Sequence, residues 1–212
     1  MTRIGVLGSG AVGQTLASGL VKHGYEARIG SRTAGKLKDF TTRTGIAEGS
    51  FADVASWSEG LVLAVAGRVA LDALELAGRG NLAGKLVIDV TNPLDAVPPE
   101  DGVLRVFTGP NESLMERLQD AYPDAKFVKA FNSVGNAVMV NPAFSGGPPT
   151  MFFCGNDPAA KAVVRRILEQ FGWEPADMGT AKAARAIEPL CQLWCIPGFL
   201  ENRWKHAFKL ME

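Results

Sequence analysis

The stretch Gly8-Ser9-Gly10-Ala11-Val12-Gly13 constrains this chain more than any other. It follows Arg3-Ile4-Gly5-Val6-Leu7, an apolar run that predicts a buried strand. It opens onto Ala11 to His23, where Val12, Leu16 and Leu20, with Ala17 and Val21, recur at helical spacing. Strand, glycine loop and helix in that order are the setting in which such a loop grips a dinucleotide. Gly8 supplies the tight turn, Gly10 lets the backbone approach a pyrophosphate, and Gly13 lets the helix pack on the strand. The helix start then offers unpaired N–H groups and a positive dipole end to phosphate oxygens. A glycine turn without a ligand is the plainer alternative, and the strand and helix on either side weigh against it. Ser9, Ala11 and Val12 are assigned to the same cofactor loop.

A second predicted strand, Glu26 to Gly30, runs into Ser31-Arg32-Thr33. An NAD site places Asp or Glu here to hold the ribose 2′-hydroxyl, and an acid repels the extra phosphate of NADP. This chain offers the Ser31 hydroxyl and the Arg32 guanidinium, with Lys36 close behind on the predicted next helix. Arg binds phosphate bidentately and Lys adds a second positive charge. The trio therefore predicts NADP over NAD; a polar loop with a solvated Arg is the bland alternative.

Strands and helices alternate along the rest of the chain. Helix is expected at Lys36–Arg43, a weak strand at Ile46–Ser50, and a short helix at Phe51–Ser58. Leu61-Val62-Leu63-Ala64-Val65-Ala66 reads as a fully apolar strand and Val69–Ala77 as helix. Leu86-Val87-Ile88-Asp89-Val90 reads as strand, ending in Thr91-Asn92-Pro93. Pro98–Pro110 and Ala143–Pro149 read as loops, Asn111–Tyr122 and Asn136–Val140 as helices, and Lys126–Phe131 and Thr150–Gly155 as strands. Asn156-Asp157-Pro158 starts a helix that Gly172 ends, and Trp173–Met178 is a last short strand. Residues 181–210 read as mostly helical, broken at Pro189 and Pro197-Gly198. The fold class is α/β: a Rossmann-type, doubly wound, mostly parallel sheet with a short C-terminal helical extension. The expected division is a nucleotide-binding domain at 1–180 and the extension at 181–212, packing on the sheet or on a second subunit. Ligands bind outside the carboxyl ends of such strands. That puts Ala64, Val65 and Ala66 along the adenosine or ribose, and Thr91 and Asn92 at the nicotinamide end.

Formal net charge is zero, from 22 basic and 22 acidic residues, which argues against a nucleic-acid or acidic-membrane partner. Three cysteines, Cys154, Cys191 and Cys195, suit a reducing cytoplasm. Cys191 and Cys195 read as buried thiols rather than a metal pair, and no metal site is expected. The N-terminal apolar run is too short for a signal peptide, and Leu61 to Ala66 is too short to span a bilayer.

A nicotinamide site implies hydride transfer. Reducing a carbonyl calls for a positioned acid, and the candidates are poor. His23 lies at the far end of the first helix and His206 in the tail. Tyr122 and Lys126 have Tyr-x-x-x-Lys spacing, but Pro123 and the strand start keep them off one helical face. No catalytic acid or base is assigned. The chain is also too short for the large helical domain of hydroxyacid dehydrogenases. Hydride transfer to another conjugated ring needs no side-chain acid, because the charge spreads over the ring. A dinucleotide-binding sensor without turnover, and a small carbonyl or imine reductase, are the alternatives.

The whole chain resembles the NADPH:deazaflavin (coenzyme F-420) oxidoreductase family, and is similar to the cytoplasmic reductase domain of the STEAP metalloreductases. The resemblance is carried by Gly8–Gly13, Gly30-Ser31-Arg32, Lys129-Ala130-Phe131-Asn132-Ser133 and the unit Phe152 to Gly172. Ile187-Glu188-Pro189-Leu190 and Ala207-Phe208-Lys209-Leu210 look like the family's closing helices. Phe131 to Gly135 looks closer to the metalloreductase branch. The resemblance implies 2′-phosphate contacts at Ser31, Arg32 and Lys36, and a nicotinamide near Asn132, Ser133 and Ala137. It also implies a flavin or deazaflavin co-substrate and a homodimer formed through the C-terminal helices.

Overall fold

A computed structural model describes residues 1–211. The first half alternates β1 (Arg3–Leu7), α1 (Ala11–Lys22), β2 (Glu26–Gly30), α2 (Lys38–Thr44), β3 (Ala47–Gly49), α3 (Phe51–Trp57) and β4 (Gly60–Leu63). A 3-10 turn at Gly67–Val69 leads to α4 (Ala70–Ala77), α5 (Arg79–Leu82) and β5 (Leu86–Asp89). Then come α6 (Leu114–Ala121), β6 (Lys126–Lys129), β7 (Thr150–Gly155), α7 (Pro158–Gln170), β8 (Glu174–Asp177), α8 (Ala184–Ile187) and α9 (Leu190–Glu201). The strands form one sheet in the order β3-β2-β1-β4-β5-β6-β7-β8. All pairings from β3 through β6 are parallel, β7 runs antiparallel to β6, and β8 is parallel to β7.

The apolar runs explain this architecture. Every residue of β4 and β5 is buried, as a parallel strand covered on both faces must be. One face packs Leu16 and Leu20 of α1 with Val164 and Ile167 of α7 and with Phe171; the other packs α3, α4 and α6 with Ala184 and Ile187 of α8. Local signals set the helix starts. The Ser50 hydroxyl and Asp53 carboxylate form a reciprocal cap on α3, and Asp157 with Pro158 starts α7.

The register aligns the strand ends. Leu7 pairs with Gly30 and Leu63, Leu63 with Asp89, and Asp89 with Lys129. Gly8, Ser31, Ala64, Val90 and Ala130 therefore leave the sheet along one edge. The order reverses between β1 and β4, the position where open α/β sheets form their ligand crevice.

Several boundaries differ from the sequence reading; β5 and β6 stop at Asp89 and Lys129, short of the expected Val90 and Phe131, and α6 begins at Leu114 rather than Asn111. β4 stops at Leu63, so Ala64, Val65 and Ala66 belong to the loop beyond it. α2 begins at Lys38, which leaves Lys36 in the preceding turn. Asn136–Val138 is a single 3-10 turn. The C-terminal segment is helical only to Glu201, and Pro197 lies inside α9 rather than breaking it. Asn202, in the left-handed conformation at φ 52°, ends that helix. Ala207 to Leu210, expected as helix, is instead irregular chain laid beside β7. The Thr150 N–H donates to the Phe208 carbonyl at 2.9 Å, and the Leu210 N–H to Thr150 Oγ1 at 2.9 Å.

Candidate functional site

The glycine loop is fixed by close approach. Gly8 has φ +140°, and a Cβ there would collide with the Ala64 carbonyl; one on Gly13 would strike the Gly8 carbonyl. A Cβ on Gly10 would meet nothing within 4 Å, so this side of the loop is open. Gly10 is also the N-cap of α1, with no side-chain cap and no acid in the first turn. Gln14 braces the loop, its Nε2 donating to the Ser9 carbonyl at 2.9 Å. The helix start thus presents N–H groups and a positive dipole end to open space.

A cleft of about 430 Å³ lies there, lined by Gly10, Ala11, Val12, Ala64, Val65, Ala66, Thr91 and Asn92 from the sequence assignment. It also takes in Gly67, Arg68, Val90, Leu94 and Asp95, which sequence reasoning missed. A Cβ on Gly67 would collide with the Asn92 carbonyl, so that glycine lets the loops after β4 and β5 touch. Arg68 brings a cation to the cleft; in sequence it is one basic residue after a strand, with no pattern to mark it.

Ser31, Arg32 and Lys36 stand at the end of β2, outside this lining. Ser31 is buried, its N–H donating to the Gly49 carbonyl at 3.1 Å and its hydroxyl oxygen accepting from the Thr33 N–H at 3.2 Å. Arg32 and Lys36 are exposed, and neither forms an ion pair among the described residues.

The loops after β5 and β6 are tied together. Asn92 Nδ2 donates to the Asn132 carbonyl at 2.8 Å, and Asn132 Nδ2 donates to Asn92 Oδ1 at 3.1 Å and to the Ile187 carbonyl at 2.9 Å. Among the described residues, Asn132 Oδ1 is buried without a partner. Ser133 is buried beside it, while Ala137 is exposed on the 3-10 turn. Phe131 sits at φ +61° although fully packed, a conformation that costs a bulky residue energy and that clusters at functional sites.

Beneath these loops lies a charged cluster that sequence reasoning did not find. Lys129 Nζ is 2.6 Å from Asp89 Oδ2 and 2.9 Å from Glu188 Oε1, and it donates to the Thr91 carbonyl at 2.8 Å. Asp89 Oδ1 accepts from the Thr91 N–H and hydroxyl at 2.9 and 2.6 Å. Glu188 accepts from the Leu114 and Met115 N–H groups at the start of α6, each at 2.9 Å. Burial pulls the Lys129 pKa down, but the Asp89 and Glu188 charges outweigh it and leave the value raised, so the ammonium stays charged.

The other titratable candidates lie elsewhere. His23 Nε2 is 3.0 Å from Asn141 Oδ1, and His206 stacks on Trp194. Tyr122 is buried at the end of α6, and Lys126 pairs with Asp157 at 3.2 Å. Burial pushes the Cys154 thiol up to about 12. The Cys191 thiol is raised by its neighbour Cys195 and by burial. Among the described residues, the cleft is lined by no His, Tyr, Lys or Cys.

Residues 3–93 match the family described as NADP oxidoreductase, coenzyme F420-dependent. A crystal structure of an Arthrobacter sp. FB24 protein, provisionally designated an F420-dependent NADP-reductase, superposes with a TM-score of 0.91 at 33% identity over 99% of each chain. The chain belongs to the coenzyme F420-dependent NADP oxidoreductase family. Two curated relatives extend the likeness. Rat (Rattus norvegicus) metalloreductase STEAP3 is 30% identical over 208 residues, covering 93% of this chain and 39% of its own length. The F420-dependent NADP reductase of Methanocaldococcus jannaschii is 33% identical over 116 residues, covering 53% of this chain and 50% of its own. The chain thus spans half or less of these two proteins. The stretch matched to the F420-dependent NADP oxidoreductase family holds the glycine loop, the cationic turn after β2, Thr91 and Asn92; Asn132, Ser133 and the Lys129 ammonium lie beyond it.

Proposed function

We propose that this protein binds NADP(H) along the carboxyl edge of its sheet and passes hydride between the nicotinamide and a redox-active acceptor such as a flavin or deazaflavin. The observation that carries the reading is the start of α1: an uncapped, acid-free helix N-terminus behind the open side of Gly10. Gly8, Gly10 and Gly13 shape the diphosphate cradle, with Ser9, Ala11 and Val12 in contact. Ser31, Arg32 and Lys36 hold the 2′-phosphate. Ala64, Val65 and Ala66 line the path to the nicotinamide end, which Thr91, Asn92, Asn132, Ser133 and Ala137 surround. The bound nicotinamide supplies the hydride donor or acceptor; the chain's own residues orient it and exclude water. With no His, Tyr, Lys or Cys on the cleft among the described residues, and Asp95 its one carboxyl, an acceptor whose conjugated ring spreads the incoming charge suits the site best.

The reading includes a cytoplasmic homodimer. Leu193 and Leu200 of α9, 55% and 61% exposed, offer an apolar contact for a second copy. The purified protein tests the activity directly. NADPH oxidation should occur with at least one of a flavin, a deazaflavin or a ferric chelate. Tight NADPH binding with no turnover across that panel would make the protein a nucleotide-binding sensor instead.

A further inference from the structure

The cluster of Lys129, Asp89 and Glu188 carries unbalanced charge. One ammonium faces two carboxylates, with side chains 0–2% exposed. Each Glu188 oxygen accepts from one backbone N–H at the start of α6, Asp89 Oδ1 accepts from the Thr91 N–H and hydroxyl, and Asp89 Oδ2 lies 2.6 Å from the ammonium. The ammonium donates a hydrogen bond to the Thr91 carbonyl and forms ion pairs with Asp89 Oδ2 and Glu188 Oε1, so one positive charge is shared between two carboxylates. The remaining partners are dipoles: the two N–H groups at the start of α6 and the Thr91 N–H and hydroxyl. Such dipoles, about half a charge at a helix end, offset a carboxylate without cancelling it. A surplus of negative charge therefore remains. The second carboxylate caps the start of α6, and its desolvation is costly, so its charge is an addition that a neutral acceptor at the same cap would not bring.

The cluster touches the loops assigned to the nicotinamide end. Lys129 and Asp89 both bond Thr91, and Asn132 bonds the carbonyl of Ile187, the residue before Glu188. The nicotinamide ring is neutral when reduced and carries one positive charge when oxidised. We infer that the Lys129–Asp89–Glu188 cluster sets the redox bias of the site: its surplus negative charge favours the oxidised, cationic nicotinamide, so that bound NADPH is the stronger hydride donor and the protein runs from NADPH toward its acceptor. In that step the hydride, two electrons and one proton, leaves NADPH for the acceptor, NADP⁺ remains, and no residue changes covalently. The inference rests on the proposed placement of the nicotinamide. Lys129, Asp89 and Glu188 are positioning residues, acting on the ring by charge rather than by contact.

The test is the pair of dissociation constants for NADPH and NADP⁺, measured calorimetrically on the wild type, Glu188→Gln and Asp89→Asn. The wild type should bind NADP⁺ at least as tightly as NADPH. Each variant removes one negative charge and should shift the ratio of the two constants toward NADPH by roughly tenfold. A cluster with a merely structural role would lower the melting temperature and weaken both nucleotides equally, so an unchanged ratio overturns the inference. If neither variant folds, the wild type decides: a preference for NADPH overturns the inference and a preference for NADP⁺ supports it. Failure of the folded wild type to bind either nucleotide overturns the nucleotide reading and this inference together; binding of both with an unmoved ratio overturns this inference alone.

Discussion

Asp89 and Lys129 close β5 and β6 side by side, in register, with Oδ2 and Nζ 2.6 Å apart and both side chains fully buried. The pair ties the last residues of two central strands to the loops assigned to the nicotinamide. Through Glu188 it also reaches α6 and the junction of α8 and α9. Removing the ammonium would strand two buried carboxylates. Lys129→Met should therefore cost about 3–5 kcal/mol, read from urea unfolding. Adding Asp89→Asn and Glu188→Gln to that variant should recover part of the loss. A Lys129→Met protein as stable as wild type would show that the cluster is not held as described.

The glycines of the loop should separate by role. Gly8→Ala forces a side chain onto a left-handed residue and into the Ala64 carbonyl, so it should lower stability as well as nucleotide affinity. Gly10→Ala adds a methyl group to open space, so thermal unfolding should stay close to wild type. NADPH affinity should nonetheless fall by about tenfold or more, because the methyl occupies the approach to the diphosphate. Calorimetry beside thermal melts checks both; unchanged NADPH affinity in a stable Gly10→Ala would place the diphosphate elsewhere.

Acid should loosen the contact between α6 and α8. Arg185 approaches Glu116 with Nη2 2.7 Å from Oε1, and the Ser113 hydroxyl donates to the same carboxylate at 2.8 Å. The Arg185 hydrogen bond leads in lowering the Glu116 pKa below its usual 4.5; partial burial opposes it and the Ser113 hydroxyl assists. A lowered carboxyl pKa adds stability that is complete above the unfolded value and is lost as pH falls through the folded one. Melting temperature followed from pH 6 to pH 3 should fall less steeply in Glu116→Gln than in wild type below about pH 4.5. Superimposable acid limbs would remove Glu116 from the account.

How far the sequence could be read depended on how local each signal was. The glycine loop, the apolar strands and the Asp157-Pro158 helix start carry their information within a few residues, and the sheet follows from their alternation. The tail did not read correctly. Pro197 and Gly198 signal a break, yet α9 runs through both, because a proline inside a helix forfeits one N–H donor while tertiary packing holds the rest. Trp204 lies so close to Gly198 that a Cβ there would collide with its ring, a contact between residues that sequence spacing cannot orient. Ala207 to Leu210 read as part of the closing helices, but their bonds to Thr150 hold them beside β7. The charged cluster was illegible for a related reason. A lysine at the end of a strand ordinarily reaches solvent, and nothing near Lys129 in sequence announces Asp89 or Glu188. Their meeting is a product of register and of the turn into α9.

The central claim is that a cradle at α1 and a cationic turn after β2 together select NADP(H). Its most direct measurement is the affinity for NADPH and for NADH, by calorimetry, in wild type and in Arg32→Ala with Lys36→Ala. Wild type should prefer NADPH. The double variant should lose NADPH affinity by about tenfold to a hundredfold, the weight of one or two charge-assisted contacts, while NADH binding stays nearly unchanged. Equal losses for the two nucleotides, or no binding of either to the folded wild type, would contradict the account.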